Sequence, residues 1–411
     1  MDNRNFDVMA GIGAKSREDM FVISLLKRDF EGGNLYPDTK PPDFEKILRI
    51  ARNNNISQKL YSVLRGRQWD NHSYFMAELR KDYLSTAVRN TLIYSEFKRV
   101  IKSFIDKKID VIAMKGIALA ELIYQDIGVR WMSDIDLLIR KEDISRADEV
   151  LKNKGYKALD STSYDGIDIT GNYLTTCDYR SENPLHPSFH IHWHIVNSTV
   201  PAPYSSRINM DELWRDSVPV EIDGVRVLSM SPHHFLIHLC EHAMRVTHSA
   251  AKLIYLLDVS ALVERYRETI DWHKVVEFSR NYGLDRFVYN ILSLTRLNMG
   301  LDVTEWVLER LKPKRTAFGE RLFHFITARG KGFSGLSYLV HLSMNKGIFK
   351  KISFIFRTVF PPAWVLAKRS SYEPDNQHAD KSAAILYLNR LIEVLSHIFS
   401  LPIRRFKKTD T

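Results

Sequence analysis

Residues 128–140, GVRWMSDIDLLIR, place two aspartates one residue apart inside a short apolar run. In a strand, where side chains alternate, Asp134 and Asp136 point to one face while Ile135 and Leu137 point to the other, into a core. The two aspartates are then roughly 7 Å apart at Cα, from about 3.4 Å of rise per residue. Like charges held this way repel each other unless a cation or a protonation change relieves them. Carboxylates gathered beside a phosphate chain are a recurrent way to hold a divalent metal. Asp-x-Asp also occurs on ordinary surface strands, so the pattern gains force only from its neighbours.

Those neighbours carry charge and imidazole. Upstream, VIAMKG ends a β-branched run with Lys115 and Gly116, and Arg130 and Ser133 precede the aspartates. Lys115 reads either as a group for phosphate charge or as a strand-end lysine; Arg130 reads either as a phosphate group or as half of an ion pair. In FHIHWHIV, residues 189–196, alternation puts Phe189, Ile191, Trp193 and Ile195 on one face and His190, His192 and His194 on the other. Three imidazoles on one face could bind zinc or a manganese-type ion, or could be satisfied histidines on a half-exposed strand. His238 and His242 stand at i and i+4 on a helix, without the glutamate of an HExxH pattern, and read as core or substrate-pocket residues. Asp258 lies in the apolar helix KLIYLLDVSAL, where a buried carboxylate needs either an ion-pair partner or a substrate.

The elements that position these residues follow from periodicity. From about 17 to 105 the pattern is helical, with Phe44, Ile47, Leu48 and Ala51 at i, i+3, i+4, i+7, and a helix over about 76–107 ends at Lys107-Lys108. The period then changes: a strand over 109–116, a helix over 116–124, the aspartate strand, and a helix over 142–156 with early acids, late lysines and Gly155 at its C-terminal end. Residues 160–188 read as polar hairpin or loop. Ser231 caps a helix with Pro232 at its first position, and helices continue to about 345. Residues 352–367 read as a packed loop or interfacial patch, interrupted by Arg357 and Pro361-Pro362. A polar loop SSYEPDNQHADK, an apolar helix over about 382–400 and the basic end IRRFKK follow. The fold class is α+β, mostly helical. A small mixed-sheet core at 96–200 lies between an N-terminal helical region at 1–95 and a helical region at 201–345, with a C-terminal segment at 346–411.

At 411 residues, 45% hydrophobic and 26% charged, the chain is long enough for two or three packed units and is globular in composition. Its net charge of +10 suits an anionic partner without requiring nucleic acid, for which no aromatic-basic recognition motif is present. The apolar helix with its basic end leaves weak association with an anionic membrane surface open. Cys177 and Cys240, far apart and without CxxC spacing, argue against a disulfide framework or a structural zinc site, and fit a reducing cytoplasm. The N-terminus lacks the apolar stretch of a signal peptide, and no apolar run is long enough to span a membrane.

Taken together, VIAMKGIALAELIYQDIGVRWMSDIDLLIRKEDISRADEVLKNKGY resembles the core of a family of uncharacterised bacterial nucleotidyltransferases within the polymerase-beta-like superfamily. The resemblance rests on Lys115, Gly116, Arg130, Ser133, Asp134 and Asp136. It extends more weakly to ILRIARNNNISQKLYSVL, His192-Trp193, HLCEHA, LLDVSALVE and, near the end, FPPAWVLAKRSSYEPD and YLNRLIEVL. It implies attack of an acceptor oxygen on the α-phosphate of a nucleoside triphosphate such as ATP, with release of pyrophosphate. Asp134 and Asp136 would hold magnesium, or manganese in its place. Gly116 would let backbone approach phosphate, and Lys115, Arg130 and Ser133 would serve the nucleotide. His192, His238, His242 and Asp258 are candidates for the substrate pocket. The acceptor could be a small molecule, a sugar phosphate, a peptide or a protein, and the basic charge leaves a polynucleotide open. One departure stands out: where relatives carry a third acid two residues before the His-Trp pair, this chain has His190, as catalytic ligand or as the mark of a non-catalytic binding protein.

Overall fold

The change of period after residue 108 marks the start of the sheet. The computed structural model describes residues 15–27, 42–65, 73–159, 176–198, 200–245, 248, 252–314, 316, 318–328, 336–363, 365–366 and 384–392. Within these, β1 (Ile112–Ala113), β2 (Asp134–Leu138), β3 (Tyr156–Ala158), β4 (Cys177–Ser181), β5 (Ser188–His192), β6 (Val218–Ile222) and β7 (Val225–Ser229) form one mixed sheet in the order β3-β4-β5-β2-β1-β7-β6. β2 runs parallel to β5 and β1 parallel to β7; the other neighbours are antiparallel. Helices make up most of the remainder, so the fold is α+β and mostly helical.

Burial of the odd positions drives the centre of the sheet. Ile135 and Leu137 on β2 and Phe189 and Ile191 on β5 are fully buried, while the long helix Ser73–Asp106 packs against β2 and β7 through a stripe that includes Phe97, Val100 and Phe104. That helix ends as its sequence indicates. Lys108 takes a left-handed φ of 53°, and the Ile109 amide returns to the Phe104 carbonyl. One hydrophobic cluster runs from Phe21 to Val340.

Several elements differ from expectation. β1 is only two residues long, because Lys115 adopts a left-handed φ of 44° and the next helix starts there. That helix is α only over Lys115–Ala118 and continues as a π-helix over Leu119–Tyr124. The helix after β2 is Ile144–Asn153, followed by Gly155 with φ 83°. β5 stops at His192 instead of running to 196, and the chain bends at residues 193–195. β6 and β7 form an unanticipated hairpin whose Asp223-Gly224 turn has positive φ at both residues, as a type I′ turn requires. Ser231 does precede the helix Pro232–Ala243, but its hydroxyl does not cap it. Residues 348–359, partly within the expected packed loop, form a helix, Ile348–Val359. The apolar helix expected over 382–400 is helical at 384–392. Residues 160–175 of the expected hairpin or loop, the polar loop at 370–381 and the basic end at 403–408 lie outside the described residues.

The loop between the π-helix and β2 decides where the aspartates emerge, and it is pinned from several sides. Asp126 accepts hydrogen bonds from the Tyr83 hydroxyl (2.7 Å), the Gly128 amide (2.9 Å) and Arg65 (2.9 Å). Asn90 donates to the carbonyls of Ile127 and Arg130, and Arg89 to those of Met132 and Ser133. Gly128 lies so close to Tyr83 that a Cβ would sit 2.5 Å from the ring. Gly128→Ala should therefore destabilise the protein by about 1–3 kcal/mol through overpacking. Urea unfolding checks this, and an unchanged midpoint would show that Tyr83 yields freely.

Candidate active site

The parallel register of β2 and β5 sets Asp136 opposite His190 and Asp134 opposite Ser188. Because both strands alternate, Asp134, Asp136, His190 and His192 share one face, away from Ile135 and Leu137. His190 Nδ1 lies 3.1 Å from Asp134 Oδ2 and 3.7 Å from Asp136 Oδ1. Asp136 Oδ1 accepts from Lys115 Nζ at 2.6 Å and is 2.7 Å from His192 Nε2. Ser133 Oγ donates to Asp134 Oδ1 at 3.0 Å. Lys115 thus meets the aspartates from the end of β1, and the two histidines meet them from β5.

These contacts set the charges. Burial pushes the Asp136 carboxyl up, but Lys115, His190 and His192 together outweigh it and hold the group well below the usual carboxylate range. Asp134 is raised, by burial and then by the charge of Asp136. Burial alone would lower His190, yet its contacts with Asp136 and Asp134 raise it to about 9. Burial, then the charge of Lys115, depress His192 to about 3, so it is neutral and donates from Nε2 to Asp136. Its Nδ1 is buried without a partner.

Asp134, Asp136 and His190 each offer a donor atom, all within 4.8 Å of one another. The set fits a divalent cation: two carboxylates suit magnesium, and an imidazole inclines the site toward manganese-type ions. The Lys115 ammonium and the His190 ring supply positive charge at the same carboxylates in this structure. A second trio, Asp216, His233 and His234, is turned inward: Ser231 Oγ lies 3.0 Å from His233 Nε2 and 2.9 Å from His234 Nδ1, and His234 Nε2 lies 3.1 Å from the Tyr282 hydroxyl.

The remaining candidates separate into groups. Arg130 and Asp258 meet each other: Nε and Nη2 of the arginine donate to the carboxylate at 2.9 and 2.8 Å, and the Tyr124 hydroxyl adds a third bond at 2.8 Å. Gly116 has an ordinary φ, and what its missing side chain permits is contact with Met132, whose Cγ would lie 2.9 Å from a Cβ; the left-handed residue is Lys115. His238 and His242 stack at 6.2 Å between ring centroids, and neither ring nitrogen of His238 has a partner in its buried position. His194 lies outside the strand and accepts from the Val196 amide, so it does not join His190 and His192.

Asp178, Arg89 and Asn90 are additions that spacing did not reveal. Asp178 on β4 stands opposite His190, buried, with its Oδ1 4.0 Å from His190 Nε2 and 2.5 Å from Thr176 Oγ1. The ring of His190 therefore lies between the two aspartates of β2 and a third acid.

Residues 40–300 match the sequence model of a family described as an uncharacterised nucleotidyltransferase, well over half of the chain. The matched span holds all seven strands and every residue of the cluster. No curated protein matches the chain.

Two outcomes follow from this geometry. Asp258→Asn leaves the guanidinium of Arg130, whose side chain is only 13% exposed, without its counter-charge and should cost about 3–5 kcal/mol in urea unfolding, more than the double change Arg130→Met with Asp258→Leu. A single-variant loss as small as the double's would show that water relieves Arg130. Separately, with divalent metal removed by chelation, the His190 imidazolium stabilises the fold fully below pH 6.5, and that contribution is lost as pH rises through about 9. Thermal unfolding across this window should show falling stability in the parent protein and a flatter profile in His190→Gln; equal slopes would assign the dependence to another group.

Proposed function

The chain belongs to the family of uncharacterised nucleotidyltransferases, and on that premise we propose that it moves a nucleoside monophosphate from a nucleoside triphosphate to an acceptor, releasing pyrophosphate. The observation that carries this reading is the placement of Asp134, Asp136 and His190 on one sheet face with donor atoms within 4.8 Å of one another. A divalent cation, magnesium or manganese, held by these three residues would supply charge against the triphosphate and lower the pKa of the attacking oxygen. Lys115, whose ammonium already sits at Asp136, serves the phosphate charge. Ser133 fixes the Asp134 carboxylate by its hydrogen bond, at the exposed edge where a phosphate can reach it. Gly116 keeps Met132 close, and with it the chain leading into the aspartates. Arg130 acts through Asp258, holding the same loop to the helix Leu253–Arg265.

The acceptor is read from the unpartnered imidazoles. His238, His242 and the Nδ1 of His192 offer buried ring nitrogens without protein partners, which favours an acceptor with hydroxyl or amide groups to satisfy them. A sugar phosphate, another small molecule or a peptide segment meets that requirement. Cys240 is a buried free thiol, in keeping with a reducing cytoplasm.

A second reading is favoured by one observation: the third donor of the set is the imidazole of His190, which leaves one negative charge fewer for cations than a third carboxylate would. In that reading the protein binds nucleotide without transferring it. Pyrophosphate release and manganese titration separate the two. Asp134→Asn and Asp136→Asn should lose metal binding and pyrophosphate release, Asp134→Asn near the parent unfolding temperature and Asp136→Asn below it because Lys115 loses its counter-charge, and His190→Asp should shift metal preference toward magnesium. Full activity in either asparagine variant removes the site; nucleotide binding without release under every acceptor and metal condition supports the binder.

A further inference from the structure

The charge of this molecule is strongly uneven. Residues 1–320 contain 44 Lys and Arg against 44 Asp and Glu, whereas residues 321–411 contain 15 against 5, so the whole net charge of +10 lies in the last part of the chain. Within it, residues 321–372 hold nine Lys and Arg and no acid at all. This segment lies beyond the span matched by the family.

At its centre is the helix Ile348–Val359. At 100° per residue, Ile348, Phe349, Ile352, Ile355 and Phe356 fall within one arc of about 120°. All five are exposed, Phe349 by 84%, Ile348 by 64% and Phe356 by 61%. The opposite side holds the helix to the body: Phe354 is buried with its ring stacked 6.4 Å from His341, and Arg390 donates to the Thr358 carbonyl. The 384–392 helix, joined through the Tyr387 hydroxyl to the Pro361 carbonyl, exposes Leu388 and Ile392 in addition. Lys351, at the edge of the arc, and Lys346, just before the helix, form no ion pair among the described residues, while Lys350 lies on the far side of the helix.

We propose that this helix lies in the headgroup plane of an anionic bilayer, with its apolar arc toward the acyl chains and its lysines against lipid phosphate. An apolar arc bordered by Lys and Arg is the combination such a surface requires. The helix, about 18 Å long at 1.5 Å per residue, is too short to cross roughly 30 Å of hydrocarbon. None of the described helices is long and apolar enough to do so. A second copy of the chain would bring two basic faces together, and nucleic acid gives the five apolar side chains no partner. The proposal is independent of the reading of the active site.

Flotation of the full chain with vesicles tests it. Binding is expected to phosphatidylcholine vesicles containing phosphatidylglycerol, to fall as salt rises, and to be weak with phosphatidylcholine alone. Lys346→Gln and Lys351→Gln should each weaken it about fivefold, and Phe349→Ser with Phe356→Ser about tenfold or more. None of these side chains is buried, so the parent unfolding temperature should persist. Absence of flotation, equal binding to neutral vesicles, or indifference to both variant sets overturns the proposal. So does a lipid-free dimer that the phenylalanine changes dissociate, or an oligonucleotide bound in preference to vesicles.

Discussion

Two carboxylates on one face of a nearly buried strand are the constraint to which the rest of the site answers. Asp136 is 5% exposed, and a carboxylate so placed is costly unless its charge is met within hydrogen-bonding distance. Lys115 and His192 meet it directly, and His190 bridges toward Asp134. Each of these partners arrives on a different part of the sheet from Asp136 itself: Lys115 from the end of β1, the histidines from β5. Charge and strand order are therefore mutually dependent. A one-residue slip of β5 against β2 would turn both imidazoles away and bring Phe189 and Ile191 to the carboxylates.

The same economy governs the approach to β2. The loop at 125–133 has little regular structure, yet its carbonyls are held by Arg89 and Asn90 of the long helix, its Asp126 by Tyr83 and Arg65, and its Arg130 by Asp258. The aspartates are thus fixed by side-chain bonds from three helices as well as by the sheet ladder. Such cross-bracing gives a short loop the rigidity that holding two like charges at fixed positions requires.

How far the sequence revealed this depends on the range of the interaction concerned. The shared face of Asp134 and Asp136 was legible because a strand's period of two is local, and the helix end at Gly155 because capping is local. The Asp223-Gly224 hairpin carried an equally local signal, a DG pair between alternating apolar residues, and could have been read. Asp178 could not: it comes after a polar stretch without periodicity, and only the pairing of β4 with β5 brings it to His190. Arg130 and Asp258 were each read as wanting a partner, but 128 positions separate them, and nothing local says that each is the other's. The short β1 reflects backbone geometry at Lys115, which a β-branched run conceals.

Arg321, Lys346, Lys350, Lys351, Arg357 and Arg390, the charged side chains described beyond residue 320, are all positive. The chain's first 320 residues, which contain the whole sheet, are electrically balanced, while the excess is carried by the remainder. Near a negative surface such a body experiences torque as well as attraction within a screening length of about 10 Å at 0.1 M salt. It would arrive with the Ile348–Val359 segment leading. Orientation would then precede contact, and the balanced body would carry the carboxylate cluster without a net charge drawing that part of the molecule onto the surface.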